Sequence, residues 1–185
     1  MEKVFDTNNN SDAKISILLK SNTNENMTHL ESYDFSYKDK KGNILGTDTM
    51  VGSTILPNDH ILLSSLLSIS DYDGSDINTE FSVAPSEYVP AAGLSVPGTY
   101  DFKISNVSEH NTGLFPNVTG EITSGFSEKI SSAALIAVFR KKGKPVAMET
   151  AYIDDLLPDT ATPFQIDFST NLPKHDSVEV YAQDW

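Results

Sequence analysis

The oxygen-rich run Asp71-Tyr72-Asp73-Gly74-Ser75-Asp76, with Glu80 beyond it, has the residue types that come nearest to metal chemistry. Calcium is a hard cation that takes about six to eight oxygens, and aspartate-rich loops supply them. The spacing departs from an EF-hand loop: Gly74 comes two positions early, and no helical pattern flanks it. Aspartate and glycine also suit a plain turn between strands, and that is the expectation, with calcium at Asp71, Asp73 and Asp76 left open. The histidines His29, His60, His110 and His175 are scattered without metal-ligand spacing, and no His-Glu-x-x-His occurs. Serine is frequent but never in a Gly-x-Ser-x-Gly elbow. Gly120 and Gly125 stand too far apart to cradle a phosphate. With no cysteine, thiolate nucleophiles, disulfides and the commoner structural zinc sites are excluded. A pair of carboxylates brought together across strands would suit glycoside hydrolysis, and the linear sequence neither builds nor forbids one. No catalytic, cofactor-binding or metal-binding residue is therefore assigned, and the chain is expected not to be an enzyme.

Other side chains could serve recognition. Trp185 is the single tryptophan and the last residue; it reads as a side chain packed on the second half of the chain or as an exposed aromatic for a glycan or partner. Tyr72, Tyr88 and Tyr100 lie near expected loops, where tyrosine often marks a contact surface. The basic tips Lys40-Lys41 and Arg140-Lys141-Lys142, with Lys144, stand out in a chain with 26 acidic and 13 basic side chains. Lysine at such tips discourages strands from pairing edge to edge, or meets an anionic wall polymer. The net charge of −13 repels phosphate backbones, so no nucleic-acid partner is expected.

These residues must be positioned by strands. Ile15, Ile17 and Leu19 alternate with polar neighbours, as do Tyr33, Phe35 and Tyr37, then Tyr100, Phe102 and Ile104, then Val118, Gly120 and Ile122. Phe164, Ile166 and Phe168 repeat the pattern, and so do Val178, Val180 and Ala182. Period two is the signature of a strand with one face buried, and turns spaced about 8–12 residues apart predict an all-β antiparallel sandwich. Gly42 after Lys40-Lys41 suits the positive φ of a hairpin.

The chain also resembles itself. Lys40-Lys41-Gly42 recurs as Lys141-Lys142-Gly143, and Leu56-Pro57 as Leu157-Pro158. Asp48 and Thr49 match Glu149 and Thr150 at the same displacement, and Tyr33, Phe35 and Tyr37 align with Ala134, Ile136 and Val138. Such a repeat predicts two related domains, 1–90 and 97–185, joined through a breaker-rich stretch from Ala84 to Gly93. The leucines between Ile61 and Leu67 are spaced as on a helix face, but their repeat partner around Phe164 alternates, so a strand is expected. In the first copy only Val4-Phe5 remains to match the strand at Tyr100–Val107, which suggests that the chain begins close to its first strand with a leader or upstream segment removed. The first six residues lack the apolar stretch of a signal peptide, and no run is long enough to span a membrane.

The second copy, through Tyr100-Asp101-Phe102-Lys103-Ile104, Val118-Thr119-Gly120-Glu121-Ile122, Val138-Phe139-Arg140-Lys141-Lys142-Gly143 and Tyr152-Ile153-Asp154-Asp155-Leu156-Leu157-Pro158, resembles the bacterial FxLYD domain family. Phe139-Arg140-Lys141 stands where the family carries Leu-Tyr-Asp. The resemblance implies two tandem immunoglobulin-like sandwiches in an extracellular or cell-surface protein of Gram-positive bacteria, with room for a lipid anchor upstream. It implies no shared catalytic or ligand-binding residues. The function expected is non-catalytic: a cell-envelope or secreted protein that binds another envelope protein or acts as a spacer. The alternatives are a carbohydrate- or cell-wall-binding module, which needs exposed aromatics on one sheet face, and an unrecognised hydrolase with cross-strand carboxylates.

Overall fold

The structure, a computed structural model, describes residues 2–8, 12–21, 23–68, 77–84, 87–90, 98–111, 116–168 and 172–185. The chain forms two compact units, Met1–Leu94 and Ser95–Trp185. Among the described residues every regular element is a strand except one 3-10 turn at Thr99–Asp101.

The first unit contains β1 (Glu2–Asn8), β2 (Asp12–Lys20), β3 (Asn26–Lys38), β4 (Ile44–Ile55), β5 (His60–Ser68), β6 (Asn78–Val83) and β7 (Glu87–Pro90). One antiparallel sheet has the order β1-β2-β5 and the other β4-β3-β6, with β7 pairing β3 beside Asn26–His29. Ile15, Ile17 and Leu19 lie opposite Ser65, Leu63 and Ile61 across β2 and β5. Directly opposed residues share a face, and this face meets Tyr33, Phe35 and Tyr37 of β3 in one core. The Phe35 ring lies 5.8 Å from Tyr33, edge-on, and 5.4 Å from Phe81.

The second unit contains β8 (Phe102–His110), β9 (Asn117–Ser124), β10 (Ile130–Lys141), β11 (Lys144–Leu156), β12 (Ala161–Asp167) and β13 (Ser177–Asp184). Its sheets have the orders β12-β9-β8 and β11-β10-β13. Apart from β7, which has no counterpart among the described residues, this repeats the first unit: β8-β9-β12 answers β1-β2-β5, and β11-β10-β13 answers β4-β3-β6. The place matching β8 is taken by β1, which pairs with β2 from Glu2 to Asn8. The leucine-rich segment is strand β5, because its odd positions are needed by the core and its period-three spacing carries no fold information here. Part of the stretch expected as a linker is strand β7.

The structure corrects the alignment of the third strands. The core face of β10 is Ala133, Leu135, Ala137 and Phe139, so Tyr37 is equivalent to Phe139 and not to Val138. The displaced residue lies in the hairpin. Asp39 N–H bonds Asn43 O at 2.9 Å and Gly42 N–H bonds Asp39 O at 3.0 Å, a three-residue loop with Gly42 at φ 86°. In the second unit Lys141 pairs directly with Lys144. Lys142 and Gly143 then form a two-residue turn at φ 52° and 76°, the left-handed pair that matches strand twist. The same three letters thus close two different turns, and beyond them Asp48 and Glu149 return to equivalent places opposite Phe35 and Ala137.

Candidate functional site

Strand β4 is the outermost strand of its sheet and, among the described residues, pairs only with β3. A free edge presents unpaired backbone donors and acceptors, and proteins usually blunt it with lysine, proline or charge. Its counterpart β11 is blunted in this way, carrying Lys144, Pro145, Asp154 and Asp155. Strand β4 is blunted less: its register with β3 shifts at Leu45, which lies between the paired residues Ile44 and Gly46. Its sequence, Ile44 to Ile55, has neither lysine nor proline, and its apolar side chains Ile44, Leu45 and Val51 are 64%, 39% and 81% exposed. The one charge, Asp48, lies opposite Phe35 and therefore on the inner face.

Asp48 is held there by a polar relay between the sheets. Ser65 Oγ donates to Asp48 Oδ2 at 2.6 Å, and the Tyr37 hydroxyl donates to Ser65 Oγ at 3.0 Å. Burial, with the Asp48 charge adding to it, raises the pKa of Tyr33. Tyr37 is raised as well, chiefly by burial and further by Asp48, against the lowering effect of its bond to Ser65. Both phenols therefore stay protonated, and the relay tethers the inner face of β4 to β5.

The second unit holds two further polar clusters. His175 Nε2 meets Glu109 Oε2 at 2.9 Å, His175 Nδ1 meets the Pro173 carbonyl oxygen at 2.8 Å, and the ring stands edge-on to Phe139 at 4.8 Å. Both ring nitrogens thus face acceptors, which a doubly protonated imidazolium satisfies. Burial works to lower the His175 pKa, yet the bonds to Glu109 and Pro173 and the acidic charges carry it above its ordinary value. For Glu109, burial works upward, and the His175 bond and charge hold it below. On the outer face of β10 and β13, Arg140 Nε donates to Glu179 Oε2 at 2.6 Å, and the Tyr181 hydroxyl donates to the same oxygen at 2.6 Å. Each cluster joins elements distant in sequence.

Asp71, Tyr72, Asp73 and Asp76 lie outside the described residues, as do the side chains of Tyr88 and Tyr100. Glu80 pairs with Lys38 at 2.6 Å. Among the described residues no three His, Asp or Glu side chains come together as a metal site. His29 and His110 lie on strands and meet Thr54 and Thr119 at 3.2 Å and 3.1 Å. Asp154 and Asp155 lie near the end of β11, with Asp155 at φ 60° and paired with Lys129. Trp185 packs on Tyr152, ring centroids 5.1 Å apart, while the two remain 68% and 55% exposed. The outer face of β9 and β12 carries an open depression of about 530 Å³ lined by Asn106, Thr119, Gly120, Glu121, Pro163 and Gln165, among others. The β4 edge escaped the sequence reading, although the contrast between Ile44-Leu45 and Lys144-Pro145 at the two hairpins signals it.

No family model matches the chain, and no curated protein matches it. Among solved structures, Bacteroides uniformis beta-glucuronidase 2 covalently bound to cyclophellitol-6-carboxylate aziridine is similar over 95% of this chain, with a TM-score of 0.34 and 11% identity. The chain spans 24% of that enzyme's length. No helix among the described residues is long and apolar enough to cross a membrane.

Proposed function

We propose that the chain is a non-catalytic interaction module of a bacterial cell-envelope or secreted protein, built of two immunoglobulin-like sandwiches, and that the edge of β4 meets its partner protein. The observation that carries this reading is the difference between equivalent edges. One repeat blunts its strand with lysine, proline and aspartate, whereas the other leaves exposed isoleucine, leucine and valine on an edge whose one charge, Asp48, faces inward. The shared strand order of the two units supports the immunoglobulin-like reading. The envelope location rests on the resemblance to FxLYD domains.

The test immobilises the wild-type chain and a Val51→Lys variant at low salt and challenges both with separated envelope proteins and insoluble wall. Val51 is exposed enough that lysine leaves the fold intact, so circular dichroism of the two should coincide. A discrete protein held by the wild type and released by the variant supports the reading. Retention that ignores the substitution overturns it. A second reading, carbohydrate binding, is favoured by the exposed Tyr152 and Trp185 rings, which offer a stacking surface to a sugar. It predicts retention on the wall fraction that Tyr152→Ala abolishes.

A further inference from the structure

We infer that the β4 edge binds by strand addition, and that its occupant is an extended segment of another protein carrying one basic residue with an apolar residue three positions away from it. This deepens the interaction reading above and rests on it.

Backbone groups on a free edge accept a strand in extended form, and side-chain pockets then set its sequence. On β4 the exposed apolar residues Leu45 and Val51 lie three positions before and after Asp48. Odd spacing places the acid on one face of the sheet and Val51 on the other. Asp48 and Met50 are half-buried on the inner face, opposite Phe35 and Tyr33, and Val51 is on the outer face, opposite Ser32. An added strand puts its own residues about 4.5–5.5 Å from those it opposes. The residue opposite Asp48 then faces a carboxylate that Ser65 holds in place at 2.6 Å, and lysine or arginine suits it. The residue opposite Val51 covers apolar surface, whereas Leu45 lies at the register shift of β4 and falls outside the regular pairing. The occupant therefore reads basic-x-x-apolar or, in the opposite strand direction, apolar-x-x-basic, and a probe with an apolar residue on both sides serves either direction. A second copy of this chain is a poor occupant, because each copy carries a net charge of −13.

The probe is a labelled nonapeptide, Thr-Val-Thr-Thr-Lys-Thr-Thr-Val-Thr, titrated with the intact chain by fluorescence anisotropy. A companion peptide has glutamate in place of the lysine. The lysine peptide is expected to bind about tenfold more tightly than the glutamate peptide, from the difference between an attractive and a repulsive cross-strand pair. Asp48→Asn should bring the two affinities together, and Val51→Lys should abolish binding of both. Backbone amides of β4 should gain protection from hydrogen exchange in the complex. Failure of both peptides, with the envelope partner still lost on Val51→Lys, overturns strand addition and leaves the interaction surface standing. A partner insensitive to Val51→Lys overturns both. A concentration-dependent dimer that Val51→Lys dissolves overturns the foreign occupant in favour of a second copy.

Discussion

Gly120 lies opposite Phe164 across β9 and β12, and the aromatic ring lies over the space that a side chain at position 120 would fill. A Cβ there would stand 2.6 Å from Phe164 Cζ, 2.9 Å from Cε1 and 3.1 Å from the Ser105 carbonyl oxygen. Such approaches are closer than contact, and the ring is itself buried in the core of the second unit. Overfilling a packed core costs about 1–3 kcal/mol. Replacing glycine by alanine recovers about 0.4–1 kcal/mol through the unfolded chain where the backbone permits it. Gly120→Ala should therefore destabilise the second unit by about 1.3 kcal/mol, the difference between the midpoints of these two effects. Phe164→Leu withdraws the ring atoms that clash, so alanine at 120 should become neutral or slightly stabilising in that background. The two substitutions are then coupled by about 1–3 kcal/mol, as expected for residues in contact. Urea unfolding followed by the fluorescence of Trp185, which lies in the second unit, measures each corner of the cycle. Wild-type stability in Gly120→Ala, or an equal cost in both backgrounds, would refute the packing argument.

The His175–Glu109 pair predicts a pH window for the same unit. His175 is shifted above 6.5, so its contribution is fully present below that value and is lost as pH rises through the folded pKa. Glu109 is shifted below 4.5, so its contribution is present above that value and is lost as pH falls through its folded pKa. Stability from the pair should peak between about pH 4.5 and 6.5, and His175→Gln should flatten the profile; an unchanged urea-midpoint profile across pH 3–9 would count against it. In the first unit, Ser65→Ala removes the 3.0 Å partner of the Tyr37 hydroxyl and the 2.6 Å donor to Asp48, and should cost about 1–3 kcal/mol. A thermal shift no larger than that of the exposed Ser82→Ala would contradict this.

Much of the fold was legible because a half-buried strand alternates. Ile15, Ile17 and Leu19, and likewise Phe164, Ile166 and Phe168, all lie toward their cores. Where both faces are apolar the signal fails. From Ala133 to Phe139 every residue of β10 is buried, so alternation gives no phase, and matching the Lys-Lys-Gly letters placed the strand one residue out. The candidate site was less legible. Val51 in a list of alternating residues looks like any strand valine, and its exposure follows only from where β4 lies in the sheet.

The amino-acid sequence by itself determined the strand content, the duplication and the positive-φ glycines at the hairpin tips, since these depend on local periodicity and backbone sterics. Tertiary structure decided which strand became an edge, which face Asp48 took, and which distant side chains met. Ser65 reaches Asp48, and Glu109 reaches His175 across 66 positions, only because two sheets fold over a shared core. Hydrogen bonds and cross-strand pairs are short-ranged, so nothing in linear spacing encodes them until packing brings their partners within about 3 Å.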